Sequence, residues 1–324
     1  MDRNILREPK QRVVRVVGRD LLARVRETAE DVSLGEKPDA LHDFRVALRR
    51  LRSWIRAFDD ELSATVRPKA IRRLKRIADA TRTSRDLEVK IEWVERFANA
   101  QRGRYRQAAG WLAEDMRAQK AKADADLLAV LGKKFDRAVG QLNQGLGHYV
   151  VDLDEEPISA ASALAELIRD HAEVAARAMT KVSSVGDRAE AHQARIAIKR
   201  LRYLVEPVDG ALPTAYALVD DLSKLQDALG ALHDAQMFGS DIAKLLAKVL
   251  AAAPAPVANT DAENANENPP VASDRADALR AMSQRLHREE RKAFDVIRES
   301  WLSGGADALW DSAERMAAEL NAVG

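Results

Sequence analysis

Between Leu41 and Phe58 the chain reads LHDFRVALRRLRSWIRAF. On an α-helix, at about 100° per residue, His42, Arg45, Arg49, Arg52 and Arg56 share one narrow face. Phe44, Ala47, Leu48, Leu51, Trp54, Ile55 and Phe58 gather on the adjoining face. The segment therefore predicts a helix with a packing side and a cationic side in direct contact. The cationic stripe holds no acid, so neighbours three and four residues apart repel by a few tenths of a kcal/mol per pair instead of pairing. Such a stripe calls for an anion to lie against it.

The pattern returns at an offset of 150 residues in AHQARIAIKRLRYLV, from Ala191 to Val205. His192, Arg195, Ala197, Arg200, Leu201 and Arg202 repeat His42, Arg45, Ala47, Arg50, Leu51 and Arg52, and Lys199 stands for Arg49. A single basic helix is readily explained as a solvated face with snorkelling stems. Duplication inside one chain weakens that explanation.

The charge is divided unevenly. Residues 1–150 hold 33 Lys and Arg against 22 Asp and Glu, while the remainder holds 19 against 29, so a whole-chain net charge of +1 conceals halves of +11 and −10. Leu41 to Asp86 alone carries 13 basic and 6 acidic residues, an excess able to focus a positive potential. At 324 residues and 46% hydrophobic content the chain can bury one large core or two ordinary ones. Cysteine is absent, which excludes disulfide and thiolate chemistry and suits a reducing compartment. No apolar run approaches membrane-spanning or signal-peptide form, and a cytoplasmic protein is expected.

Along the chain every periodic tract is helical. A first helix is predicted from about Pro9 to Asp31, with Val13, Val16 or Val17, Leu21, Val25 and Ala29 inward and a stop at Leu34-Gly35. Asp39 is placed to cap the basic helix. A long helix follows over about 66–98, then an interrupted tract over about 101–146 that Gly145 and Gly147 end. The acidic segment Asp152 to Pro157 reads as a junction. Beyond it come helices over about 158–181, 189–205 and 213–252, a polar, proline-bearing linker over about 253–273, and helices over about 274–301 and 307–320. Short connections favour antiparallel neighbours. The predicted fold is all-α: two antiparallel four-helix bundles, 1–151 and 152–324, related by an approximate two-fold with a basic groove between them.

The helix after each basic helix repeats as well. Leu74, Arg76, Ile77, Asp79, Ala80, Arg85 and Asp86 recur at an offset of 148 as Leu222, Lys224, Leu225, Asp227, Ala228, His233 and Asp234. These paired H-x-x-R-x-x-x-[RK]-R-L-R segments, each followed by a helix ending in Arg85-Asp86 or His233-Asp234, resemble the CHAD family of histidine-bearing α-helical domains. The likeness covers nearly the whole chain apart from the linker. It implies two helical bundles around a basic channel, and a non-catalytic role in binding inorganic polyphosphate. Family members often accompany a triphosphate-tunnel domain with an E-x-E-x-K strand motif. No such motif occurs here, so a stand-alone module is expected. The second copy is poorer in charge, with Ser223 for Lys75 and Gly230 for Arg82.

Basic groups repeating once per turn, ~5.4 Å, can follow a flexible polyanion without reading a sequence. The stripe from His42 to Arg56 spans roughly 21 Å. Arginine takes two phosphate oxygens at once and lysine supplies a point charge. Outer candidates for the groove are Arg117, Lys120, Lys122, His287, Arg288, Arg291 and Lys292. A nucleic-acid backbone binder is the nearest alternative, opposed by 5% aromatic content and by the lack of an aromatic residue on the stripe for base stacking. His42-Asp43 and His233-Asp234 suggest an HD-type metal-dependent phosphohydrolase, but the two dipeptides occupy non-equivalent places in the repeat. A purely structural scaffold is the remaining alternative. His42 and His192 are candidates for capping and packing as well as ligand contact, and Asp79 and Asp227 for structural ion pairs. No cofactor, metal or enzymatic activity is expected, and association with polyphosphate granules is.

Overall fold

The computed structural model describes residues 3–37, 39–148, 157–252 and 272–324. The junction and the linker lie outside the described residues, apart from Pro157 and from Ala272 and Ser273.

Eleven α-helices are described: α1 (Lys10–Leu34), α2 (Ala40–Ala57), the short α3 (Asp59–Leu62), α4 (Pro68–Asn99), α5 (Gly103–Val130), α6 (Lys133–Gly147), α7 (Ala160–Met179), α8 (Arg188–Val205), α9 (Pro213–Ala252), α10 (Ala272–Ile297) and α11 (Gly305–Asn321). A π-helical turn, Arg298–Leu302, prolongs α10. There is no strand among the described residues; one isolated antiparallel bridge joins Pro9 to Ser159.

The chain divides into two compact units. The first comprises 1–82, 125–230 and 294–324, and the second 83–124 and 231–293. Each unit draws on both repeats, and the helices α4, α5, α9 and α10 contribute residues to both units.

In the first unit α1 packs on α2, α6 and α7, α7 packs on α8 and α11, and α2 packs on α8. The whole predicted packing face of α2 is buried, with Phe44, Leu48, Leu51 and Trp54 fully enclosed. Trp54 Nε1 donates to the carbonyl of Val14 at 2.9 Å, so the indole satisfies its one polar group where it meets α1. Phe58 lies 4.5 Å from Trp54 between ring centroids, and Phe44 meets Phe135 edge-on at 6.0 Å. On α1, Val13, Val17, Val25 and Ala29 are buried as expected, Val17 being the inward member of the Val16–Val17 pair, but Leu22 is buried where Leu21 was expected.

Arg15 is also buried. Its guanidinium donates to the carbonyls of His148, Gln11 and Glu61 at 2.5, 3.1 and 3.0 Å. Neutral carbonyls here replace the hydration a buried charge must otherwise keep.

Gly145 lies inside α6 and does not end it. A Cβ there would meet the carbonyl oxygen of Thr65 at 2.7 Å, so its absence is what lets α6 close on the α3–α4 turn. Gly35 does end α1, at φ 68°, a left-handed conformation that costs glycine nothing.

The second unit has its own core, in which Val94, Phe97, Leu112, Phe238, Met282 and Leu286 cluster. Trp93 stacks on Phe97 at 5.6 Å and meets Phe238 edge-on at 5.2 Å, while its Nε1 donates to Glu289 at 2.7 Å.

Candidate polyanion-binding site

Because α2 and α8 pack against each other within the first unit, cations from both repeats meet along one seam. The Tyr203 ring lies in that seam, 5.6 Å from the guanidinium carbon of Arg49 and 5.6 Å from that of Arg202. Guanidinium over an aromatic face is favourable, and it fixes one arginine from each copy. Tyr203, on α8, is buried, 3% exposed, so it acts as a wedge between arginines and not as a stacking platform. Burial pushes its hydroxyl pKa up, against the lowering pull of Arg49 and Arg202. The Tyr203 hydroxyl and Arg49 Nε are buried without a hydrogen-bond partner among the described residues.

Beside this pair lies Glu206, in the turn that follows α8. Its side chain is 5% exposed; Arg50 Nε approaches one carboxylate oxygen at 2.5 Å and Arg202 Nε the other at 2.8 Å. One carboxylate thus ties a cation of the first copy to one of the second. Nothing at the level of the signature pointed to this residue, which falls beyond its last arginine.

The other end of the patch has no such acid. Arg56 and Arg200 are exposed and Arg52 half-buried, and none of the three is hydrogen-bonded or ion-paired among the described residues. The pKa of Arg52 is lowered by burial and by the charges of Arg56 and Arg82, with Asp79 acting in the opposite sense. That of Arg200 is lowered by burial and by Arg56. Burial first, and neighbouring guanidiniums second, disfavour the charged form of both.

The remaining candidates of the first unit divide by partner. Arg45 Nη1 donates to the carbonyl and hydroxyl of Thr81, at 2.6 and 3.3 Å, which fastens α2 to α4. Arg82 is 68% exposed and lies 3.6 Å from Asp79. Lys224 is held by Asp220 and Asp221 at 2.7 and 3.3 Å, and their hydrogen bonds raise its pKa. Asp227 makes no ion pair among the described residues, unlike Asp79. Lys75, Arg76 and His42 are exposed, while His192, Arg195 and Lys199 are half-buried.

Several candidates belong to the second unit and are engaged there. Arg85 pairs with Glu88 at 2.6 Å, Arg117 with Glu95 at 2.5 Å, and Lys120 with Asp124 at 2.7 Å. His287 Nδ1 lies 2.8 Å from the carbonyl of Ser283, Arg288 and Arg291 are exposed, and His233 is half-buried. Among the described residues no three His, Asp or Glu side chains are grouped so as to hold a metal ion, and no helix is long and apolar enough to cross a membrane.

Comparison with solved structures gives the same helical fold. The CHAD domain from the plant Ricinus communis is similar over 95% of this chain and 93% of its own, with a TM-score of 0.68 at 19% identity. PptA from Streptomyces chartreusis is similar over 88% of this chain and 99% of its own, with a TM-score of 0.64 at 15% identity. No curated protein matches the sequence. The model of the CHAD domain matches residues 17–243, a span that includes both basic helices, the helix following the first and most of the helix following the second, and the chain belongs to the CHAD domain family.

Proposed function

We propose that this protein binds inorganic polyphosphate without transforming it. The observation that carries the proposal is the pairing of α2 with α8, which gathers arginines of both repeats into one patch where Arg52, Arg56 and Arg200 make no hydrogen bond or ion pair among the described residues. A chain of phosphates supplies charge at every unit, and forked guanidiniums accept its oxygens in pairs.

Binding of this kind draws its free energy from charge neutralisation and counterion release. The same physics serves a nucleic-acid backbone, but base stacking needs an accessible ring, and Tyr203, the aromatic on the patch, is 3% exposed. An HD-type phosphohydrolase would need ligands grouped for a metal, and the described His and Asp residues form no such group. A cytoplasmic protein that joins polyphosphate granules is the cellular role this reading implies.

Titration with long-chain polyphosphate, triphosphate, ATP and single-stranded DNA at fixed salt tests the proposal. Polyphosphate is expected to outcompete DNA of equal charge and to weaken steeply as salt rises. DNA binding as tight, or an affinity indifferent to salt, contradicts it. Release of phosphate from polyphosphate with Mg²⁺ or Mn²⁺, lost on Asp234→Asn, would replace a binding role with an enzymatic one.

A further inference from the structure

Position 56 of the first copy corresponds to position 206 of the second at the 150-residue offset, and the two carry opposite charges. Around Glu206 the seam is closed: a nearly buried carboxylate neutralises Arg50 and Arg202 from within the protein. Around Arg56 it is open. Arg200, the repeat equivalent of Arg50, has an arginine for its electrostatic neighbour where Arg50 has a carboxylate. Arg52, the equivalent of Arg202, likewise has Arg56 and Arg82 nearby, and the acid on that side, Asp79, is 46% exposed and 3.6 Å from Arg82.

Glu206 therefore occupies, at one end of the seam, the place that an anion is left to fill at the other. We propose that Arg52, Arg56, Arg82 and Arg200 form the primary phosphate subsite, taking one phosphate or pyrophosphate group of the polyanion, and that Glu206 closes the repeat-related end by acting as a built-in counter-anion. The inference rests on the polyanion-binding reading and adds an order to it. The ligand is anchored at the Arg56 end, and Arg50 serves chiefly to hold Glu206.

Inorganic triphosphate is the probe, because it is short enough to report one subsite. At fixed low salt, Arg56→Gln and Arg200→Gln are each expected to weaken triphosphate binding by about tenfold or more, and Arg50→Gln by no more than about threefold. Arg56→Glu places an acid where the second copy has one, and is expected to reduce binding further than Arg56→Gln. A loss from Arg50→Gln equal to that from Arg56→Gln, or losses below about threefold from both Arg56→Gln and Arg200→Gln, would overturn the assignment. Should Arg50→Gln fail to fold, Arg50→Lys keeps a charge beside Glu206 while removing the guanidinium fork, and makes the same comparison. Failure of the underlying reading looks different: the unaltered protein then does not bind long-chain polyphosphate at all.

Discussion

Compare the last turns of α2 and α8. One ends in Trp54, Ile55 and the exposed Arg56; the other in Leu204, Val205 and the nearly buried Glu206. Their signatures are the same up to Arg52 and Arg202, yet Arg52 is without an ion-pair partner among the described residues while Arg202 is held at 2.8 Å by a carboxylate. A duplicated motif thus yields two electrostatic environments, and a change of sign one turn beyond the motif accounts for the difference. Repetition of charged residue types is a guide to where cations gather, whereas their availability to a ligand is set by what else packs there.

The packing faces of the two copies differ in the same direction, and breaking them gives the largest expected effect. Trp54 is fully buried and donates to Val14; Leu204 is 2% exposed and has no polar group to satisfy. Trp54→Ala is expected to cost about 4 kcal/mol and Leu204→Ala about 3 kcal/mol, from lost burial and the cavity left behind. Urea unfolding followed by circular dichroism measures both; a smaller cost for Trp54→Ala would mean that α2 is not the more deeply anchored copy.

A middling effect separates positions 56 and 206. Removing one partner of a fully buried pair costs about 3–5 kcal/mol and of an exposed pair under about 1 kcal/mol. Glu206 is 5% exposed but Arg50 is 41% exposed, so Glu206→Ala is expected to cost about 2 kcal/mol, between those limits. Arg56→Ala, on an exposed side chain, should stay within about 0.5 kcal/mol of the unaltered protein. Equal costs at the two positions would remove the distinction between an internal counter-anion and an open cation.

The smallest effect concerns how each basic helix begins. Neither Asp39 nor Asp187 caps its helix through its side chain, but Asp187 accepts from Ser183 N, Ser183 Oγ and Ser184 N, in the turn before α8, at 2.9, 2.8 and 2.8 Å. Those bonds, the backbone one of Ser183 foremost, lower the Asp187 pKa from 3.8 to about 2. A depressed carboxylate stabilises the folded state above its unfolded pKa and loses that contribution as pH falls through the folded value. The turn before α8 should accordingly loosen between about pH 4 and 2, as an NMR titration of the Asp187 carboxylate would follow. Titration of that carboxylate near 3.8 would remove the asymmetry at this end of the two helices.

Much of this was legible in the sequence, for reasons particular to each element. The buried face of α2 follows from periodicity alone, since seven apolar residues at helical spacing leave no other side to pack. The limits of α9, Pro213 and Ala252, coincide with the expected ones because proline opens it and the apolar pattern stops where it ends. By contrast, Leu21 and Leu22 are adjacent and equally apolar, and which one turns inward depends on how α1 meets its neighbours. The interior position of Gly145 depends on the approach of Thr65, eighty residues earlier in the chain. Glu206 and Tyr203 escaped notice for a related reason. Their roles arise only when α8 packs on α2, and contacts between residues some 150 positions apart have no periodicity to betray them.

The most direct test of the account is a side-by-side measurement of polyphosphate affinity for two double variants at fixed salt. Hydrogen bonds to charged groups are worth about 1.5–3 kcal/mol, with the lower end expected where solvent enters, and each ~1.4 kcal/mol is a factor of ten. Arg49→Ala with Arg52→Ala is therefore expected to weaken binding by more than about tenfold. Lys199→Ala with Arg202→Ala should cost less, because Arg202 already spends its charge on Glu206. Circular dichroism should find both variants helical. An undiminished affinity in the first variant, or a larger loss in the second, would contradict the claim that the first copy dominates the contact with the polyanion.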